Sequence, residues 1–246
     1  MNTLWHSLTF LPNVKFVNVR KLVVKKKSRK KNHVKSKLQI ITCLAVFAAS
    51  MMGVAFTGFG MDAISKMEPA VGLKMAMRQL WEEHITYTRN YIISAVADLP
   101  DGDAVAKRLL KNQDDIGDAI KPYYGEAAGN KLSALLRDHI MIATEVVKAA
   151  KGGDKDQLTA AQTKWSANGK EIAALLSGAN PNWPRKDLEE MLQKHLDLTT
   201  GEVVGRLTKD WAKDIESCDE GHLHMLMFAD MLSDGITKQF PVKFKK

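Results

Sequence analysis

Residues 217–225 read Ser-Cys-Asp-Glu-Gly-His-Leu-His-Met, SCDEGHLHM. As a loop, this would be an ordinary polar connection. As the middle of a helix, it would carry a cysteine and histidines into the interior. The flanking spacing decides between the two. Val204, Thr208, Trp211, Ile215, Cys218, His222, Met225, Ala229, Leu232 and Ile236 recur every three or four residues without a slip in phase. That is the spacing of one helix face, and a loop has no reason to keep it. Gly221 costs about 1 kcal/mol in a helix interior, which a long helix absorbs. Thr199 followed by Glu202 has the form of a capping box. The reading is therefore one helix from about residue 200 to 236, with SCDEGHLHM inside it.

The same apolar spacing extends back along the chain, broken by turn signals. It predicts helices over about 63–97, 103–119, 124–151, 155–177 and 185–197, separated by DLPDGD, KPYYGE, KGGD and GANPNWP. No strand pattern occurs. The predicted fold is all-α: an antiparallel four-helix bundle of long helices with two short capping helices, at 103–119 and 185–197. The pairs Pro122-Tyr123 and Trp183-Pro184 hint at a duplication into two halves, which share too little sequence to establish one.

The formal charge of +8 is unevenly placed. Of 36 Lys and Arg, eleven lie within residues 1–60, which hold no acid; 25 remain against all 28 Asp and Glu, a net of −3. The body thus lacks the basic footprint of a nucleic-acid binder. After the basic residues 1–37 comes an uncharged run, Leu38 to Gly60, LQIITCLAVFAASMMGVAFTGFG. Its length suits a membrane anchor with the basic side in the cytoplasm, or a signal peptide. Either places the third part, residues 61–246, outside the cytoplasm. Cys218 is the only cysteine of that part, so no internal disulfide can support it.

Polar residues on apolar seams carry the functional reading. His84, His139 and His222 fall on the seams of three predicted helices, and Asn168, beside Trp165, on a fourth. At ~1.5 Å rise per residue they reach similar depths, which predicts a buried polar layer. Such a layer must be satisfied internally. A hydrogen-bonded network that fixes helix register is one solution. A bound ion is the other: Cys218 lies four residues before His222 on the same face, and Met225 one turn further. His84, His139, Cys218 and His222 are then the candidate metal ligands, with Asn168, Met225 and Trp165 beside them. Such donors favour copper, or zinc if the site is tetrahedral. His195 reads as a packed or capping residue and His224 as surface. The di-iron Glu-x-x-His spacing is missing, with Trp at 81 and Leu at 136. The function expected is storage, buffering or delivery of a metal. The alternative is a sensing or protein-interaction bundle whose layer is structural; an enzyme ranks third.

LWEEHITYTRNYIISAVADLP, KNQDDIGDAIKPYYGEAAG and HLDLTT resemble a family of uncharacterised bacterial exported helical proteins, over most of residues 70–240. The resemblance implies an exported helical fold and brings no activity, cofactor or site. Some members carry the name glycosyltransferase. Asp101-Gly102-Asp103 matches the loose Asp-x-Asp of such enzymes, yet no strands exist to build their sugar-donor domain, and the three residues suit a turn and helix start.

Overall fold

The computed structural model describes residues 68–245, all helices and connections: α1 Pro69–Val96, α2 Gly102–Gly152, α3 Lys155–Ala179, α4 Arg185–Thr208 and α5 Trp211–Gln239, then a 3₁₀ turn, Pro241–Phe244. The basic segment and the apolar run 38–60 lie outside the described residues. No described helix is long and apolar enough to cross a membrane.

SCDEGHLHM lies inside α5, as the spacing predicted. The helix starts later than expected, however. Thr199 and Glu202 are interior to α4: the Thr199 hydroxyl donates to the His195 carbonyl at 2.9 Å, and Glu202 is buried against Arg89 at 2.6 Å. The break comes at Lys209 (φ 59°) and Asp210, whose carboxylate caps α5 by accepting from the Lys213 amide. The inward face also departs from the expected seam over the first part of α5, whereas Met225, Ala229, Leu232 and Ile236 further along are buried as expected. Trp211 and Ile215 are exposed, while Asp214, Ser217 and Gly221 face inward. The cause is electrostatic. Asp214 accepts from Arg89 on α1 and Arg206 on α4, so a buried carboxylate with two guanidiniums sets the helix phase where apolar counting chose its neighbours.

The expected short caps are full-length helices. α4 has 24 residues. α2 is folded at Gly125 (φ 82°, ψ 169°) into arms 102–124 and 126–152. Pro122 remains helical, and the left-handed glycine three residues later makes the turn. Close contact between the arms needs glycine twice: a Cβ on Gly117 would lie 2.6 Å from the Gly129 carbonyl oxygen, and one on Gly129 2.7 Å from that of Gly117.

Six antiparallel rods therefore make three hairpins: α1 with the first arm of α2, the second arm with α3, and α4 with α5. Each rod packs on the next, and α5 returns to α1 through Arg78–Asp230 and Arg89–Asp214. The hairpins repeat in sequence with steps of 55 and 56 residues: LWEEHI at 80–85, LLRDHI at 135–140, MLQKHL at 191–196. Their inner turns repeat as well. Asp98, Gly153 and Lys209 stand at equivalent positions, and all three have positive φ (53°, 71°, 59°). The described helices form an approximate threefold repeat, where the Pro-aromatic pairs had hinted at two halves.

Equivalent positions are buried together in layers. Met77, Leu132 and Leu188 form one, Trp81, Leu136 and Leu192 the next, and Ile92, Val147 and Val203 a separate cluster further along. Between them lies a layer of His84, His139 and His195.

Candidate functional site

Each histidine sits on the first helix of its hairpin, four residues after Leu80, Leu135 or Met191. Those three carbonyls are bonded from the second helix in equivalent ways: by Asn112 Nδ2 (2.9 Å), Asn168 Nδ2 (3.0 Å) and His224 Nε2 (2.8 Å). The staples fix hairpin register at the level of the layer. His224 is thus a half-buried helix tie, where the sequence suggested a surface residue.

His84, His139 and His195 are all buried. His84 Nε2 and His195 Nε2 lie 3.4 Å apart, and the rings of His139 and His195 stack at 5.9 Å between centroids. Asn168 orients His139: its amide nitrogen is committed to the Leu135 carbonyl, so its Oδ1 accepts from His139 Nδ1–H at 2.8 Å. That leaves the lone pair of His139 on Nε2. The equivalent partner of His84 is Gln113, whose Nε2 lies 3.3 Å from His84 Nδ1 and donates to the Leu109 carbonyl at 2.9 Å. The third hairpin has no such amide, and His195 Nδ1 has no partner.

Burial keeps all three rings neutral. It lowers His84 to about 3, with His139 adding to the effect and Gln113 opposing it. Burial lowers His139 to about 4 against the hydrogen bond it donates to Asn168, and takes His195 well below the usual value, helped by the other histidines. The physical reason is the cost of an imidazolium in an apolar interior.

A cavity of about 20 Å³ opens on one side of the layer, large enough for one water. The histidines form its floor, Thr88, Ala143 and Thr199 its wall, and Ile92, Val147 and Val203 its far end. Trp165 lines it too, its ring 5.2 Å from His139. Trp165 Nε1, Thr88 Oγ1 and His195 Nδ1 are buried without hydrogen-bond partners. The other side is filled: the Trp81 ring packs edge-on against His84 at 5.4 Å.

Of the residues singled out from sequence, the structure brings His84, His139, Asn168 and Trp165 together. His222 and Cys218 do not join them. His222 is part-exposed and pairs with Glu82 across α1 and α5. Cys218 is half-buried near Glu202 and Arg89, and burial pushes its thiol up. Met225 packs in the main apolar core. The phase that the Asp214 ion pairs set in the first part of α5 brings Ser217 and Gly221 inward and leaves Cys218 and His222 off the inner face. His195 was missed, though the 55- and 56-residue steps between LWEEHI, LLRDHI and MLQKHL mark it. Among the described residues, no three His, Cys, Asp or Glu side chains are already spaced to enclose an ion. Compared with protein-family models, curated proteins and solved structures, the chain matches none.

Proposed function

We propose that this is an exported helical protein that binds one zinc or copper ion on the axis of its three hairpins, through His84, His139 and His195, for storage, buffering or delivery. The carrying observation is the 3.4 Å between His84 Nε2 and His195 Nε2. Two nitrogens bound to one tetrahedral ion at ~2.0–2.1 Å are about 3.3–3.4 Å apart. As a hydrogen bond the same separation is long.

Two further features support the reading. His139 gives its Nδ1 proton to a carbonyl oxygen, the arrangement that frees Nε2 for a metal. Neutral imidazoles at ordinary pH have no proton for the ion to displace. Gln113 Oε1 is buried without a partner, on an amide already beside His84 Nδ1. That amide's Nε2 is held by the Leu109 carbonyl and Asn112 Oδ1, so it stays a donor toward His84. His139 closes the site by moving toward the pair. An all-nitrogen donor set suits zinc and copper(II) over copper(I). Export rests on the basic segment and the apolar run 38–60 that precede the helices.

The second reading is a non-catalytic sensing or protein-interaction bundle whose layer only holds helix register. The Gln113 N–H facing His84 favours it, because that donor suits a metal-free ring. Metal analysis of the full chain after zinc or copper loading at neutral pH separates the two. The expected result is one ion per chain in the parent and none in a His84→Ala/His195→Ala variant. Equal, substoichiometric metal in both excludes the ion.

A further inference from the structure

The outer sides of the three hairpins are not alike. Equivalent positions on their second rods lie 56 residues apart, as Leu109, Trp165 and Gly221 do. On the outer side, a ridge of residues four apart reads Leu99, Asp103, Lys107, Lys111, Asp115 in the first hairpin and Lys155, Thr159, Thr163, Ala167, Glu171 in α3. Both are the mostly polar faces expected against solvent. In α5 the same positions hold Trp211, Ile215, Asp219, Leu223 and Met227. The four apolar residues are each more than half exposed. At ~1.5 Å per residue the ridge runs about 24 Å. α5 does not need it for its own packing, because Ser217, Gly221, Met225, Phe228 and Leu232 close the inner face. Single exposed apolar side chains are ordinary. Four on one line, where the sister hairpins hold mostly charged or small residues, mark an interaction surface.

The charges on this face say what covers it. A ridge of residues four apart fits the groove between the ridges of a second helix. Around it stand Lys213, Glu216, Asp219 and Glu220. Lys213 is paired with Glu216 at 2.9 Å, and Glu220 with Lys194 of α4 at 3.7 Å. Asp219, in the middle of the ridge, has no ion-pair or hydrogen-bond partner among the described residues. Whatever buries the ridge buries Asp219 with it. A carboxylate taken out of water unpaired is costly, so the occupant has to bring a cation. A second copy laid antiparallel on the ridge would set Asp219 against its own counterpart. An anionic lipid surface would be repelled by Asp219 and its acidic neighbours.

We infer that the outer ridge of α5 docks an amphipathic helix of another protein, apolar on its contact face and carrying a lysine or arginine opposite Asp219. Trp211 and Ile215 form one apolar contact, Leu223 and Met227 the other, and the charge pair between them sets register. The surface lies outside the histidine layer and does not depend on an ion there.

The test uses the full chain without added metal. The probe is a labelled leucine–lysine peptide with amphipathic-helix spacing, followed by fluorescence anisotropy. Saturable binding is expected, weakened about tenfold or more in Ile215→Ser/Leu223→Ser and about tenfold in Asp219→Asn. Thermal melting is expected to stay unchanged in both, as for exposed positions away from the core. Lys155→Ser/Ala167→Ser, on the equivalent ridge of α3, should bind like the parent. No binding by the parent, or equal binding by the parent and Ile215→Ser/Leu223→Ser, overturns the inference. Equal binding of a leucine–glutamate peptide of the same spacing does so too, because the cation would then be irrelevant. Self-association lost in Ile215→Ser/Leu223→Ser would name a second copy as the occupant. Loss in that variant of binding to phosphatidylcholine–phosphatidylglycerol vesicles would name a lipid surface. Either result also overturns it.

Discussion

The two sides of the histidine layer are made from the same repeated hairpin and differ in how they are filled. On the Trp81 side, eighteen buried apolar residues form one continuous cluster. On the other, the buried apolar residues fall into clusters of four and three around a cavity. Among the described residues, the six buried side-chain nitrogens and oxygens without partners follow the same division. Thr88, Arg108, Gln113, Trp165 and His195 supply five at or beyond the layer; the sixth, on Trp81, lies one turn below. Equivalent positions show how the difference arises. Ile116, Ile172 and Phe228 are all large on the packed side, whereas Leu109, Trp165 and Gly221 on the open side shrink to a glycine in the third hairpin. Apolar packing is concentrated on one side, and the other is less completely filled.

The contrast has measurable consequences. The largest is acid sensitivity of the layer itself. Each buried histidine has a folded pKa far below its unfolded value of about 6.5. Their contribution is complete above pH ~6.5 and falls as the pH drops toward the folded values, because only the unfolded chain takes up the protons. Each removes ~1.4 kcal/mol per pH unit. Glu202 works the other way between its unfolded value and about 7, where burial has pushed it against the pull of Arg89. It offsets one of the three. The net loss expected is about 3 kcal/mol per pH unit from pH ~6.5 to ~4.5, read by urea unfolding across that range. A flat profile would mean that the rings are hydrated.

Truncation sharpens the comparison. Phe228→Ala on the packed side is expected to cost ~3–5 kcal/mol, and Val203→Ala beside the cavity ~1 kcal/mol. Similar costs at the two sites would erase the division. Asn168→Ala strands both the Leu135 carbonyl and His139 Nδ1, for a loss of ~2–3 kcal/mol. Asn112→Ala removes the equivalent staple from Leu80 and also a contact of Gln113, and is expected to cost ~1–2 kcal/mol. The smallest effect is at Thr88. Replacing an unpartnered buried hydroxyl by a methyl in Thr88→Val is expected to leave thermal stability unchanged, or raise it by ~1 kcal/mol.

Much of the helical content was legible, because apolar spacing and turn residues both mark rods. SCDEGHLHM was correctly placed within a helix on that ground alone. Helix ends and phases were harder where charge outweighed hydrophobicity. Apolar counting favoured Trp211 and Ile215 as inward residues, but burial of Asp214 between Arg89 and Arg206 shifts the inward face of the first part of α5 by about one position, while the seam from Met225 to Ile236 is buried as counted. Thr199 and Glu202 mimicked a cap because each has a separate partner inside α4 or across to α1. Two of the three axial histidines were found from their seams. The third was discounted because its helix looked short, and Cys218 and His222 entered in its place through the same error of phase. The triplication was visible in His84, His139 and His195 at near-equal steps, but a search for two halves passes over a three-part repeat.

Metal stoichiometry across single variants tests the central claim most directly. With zinc at neutral pH, the full chain is expected to bind one ion. His195→Ala should abolish that binding, while Cys218→Ser and His222→Ala leave it intact. Zinc binding that survives His195→Ala and disappears in His222→Ala or Cys218→Ser would contradict the axial site and return the ligands to the outer face of α5.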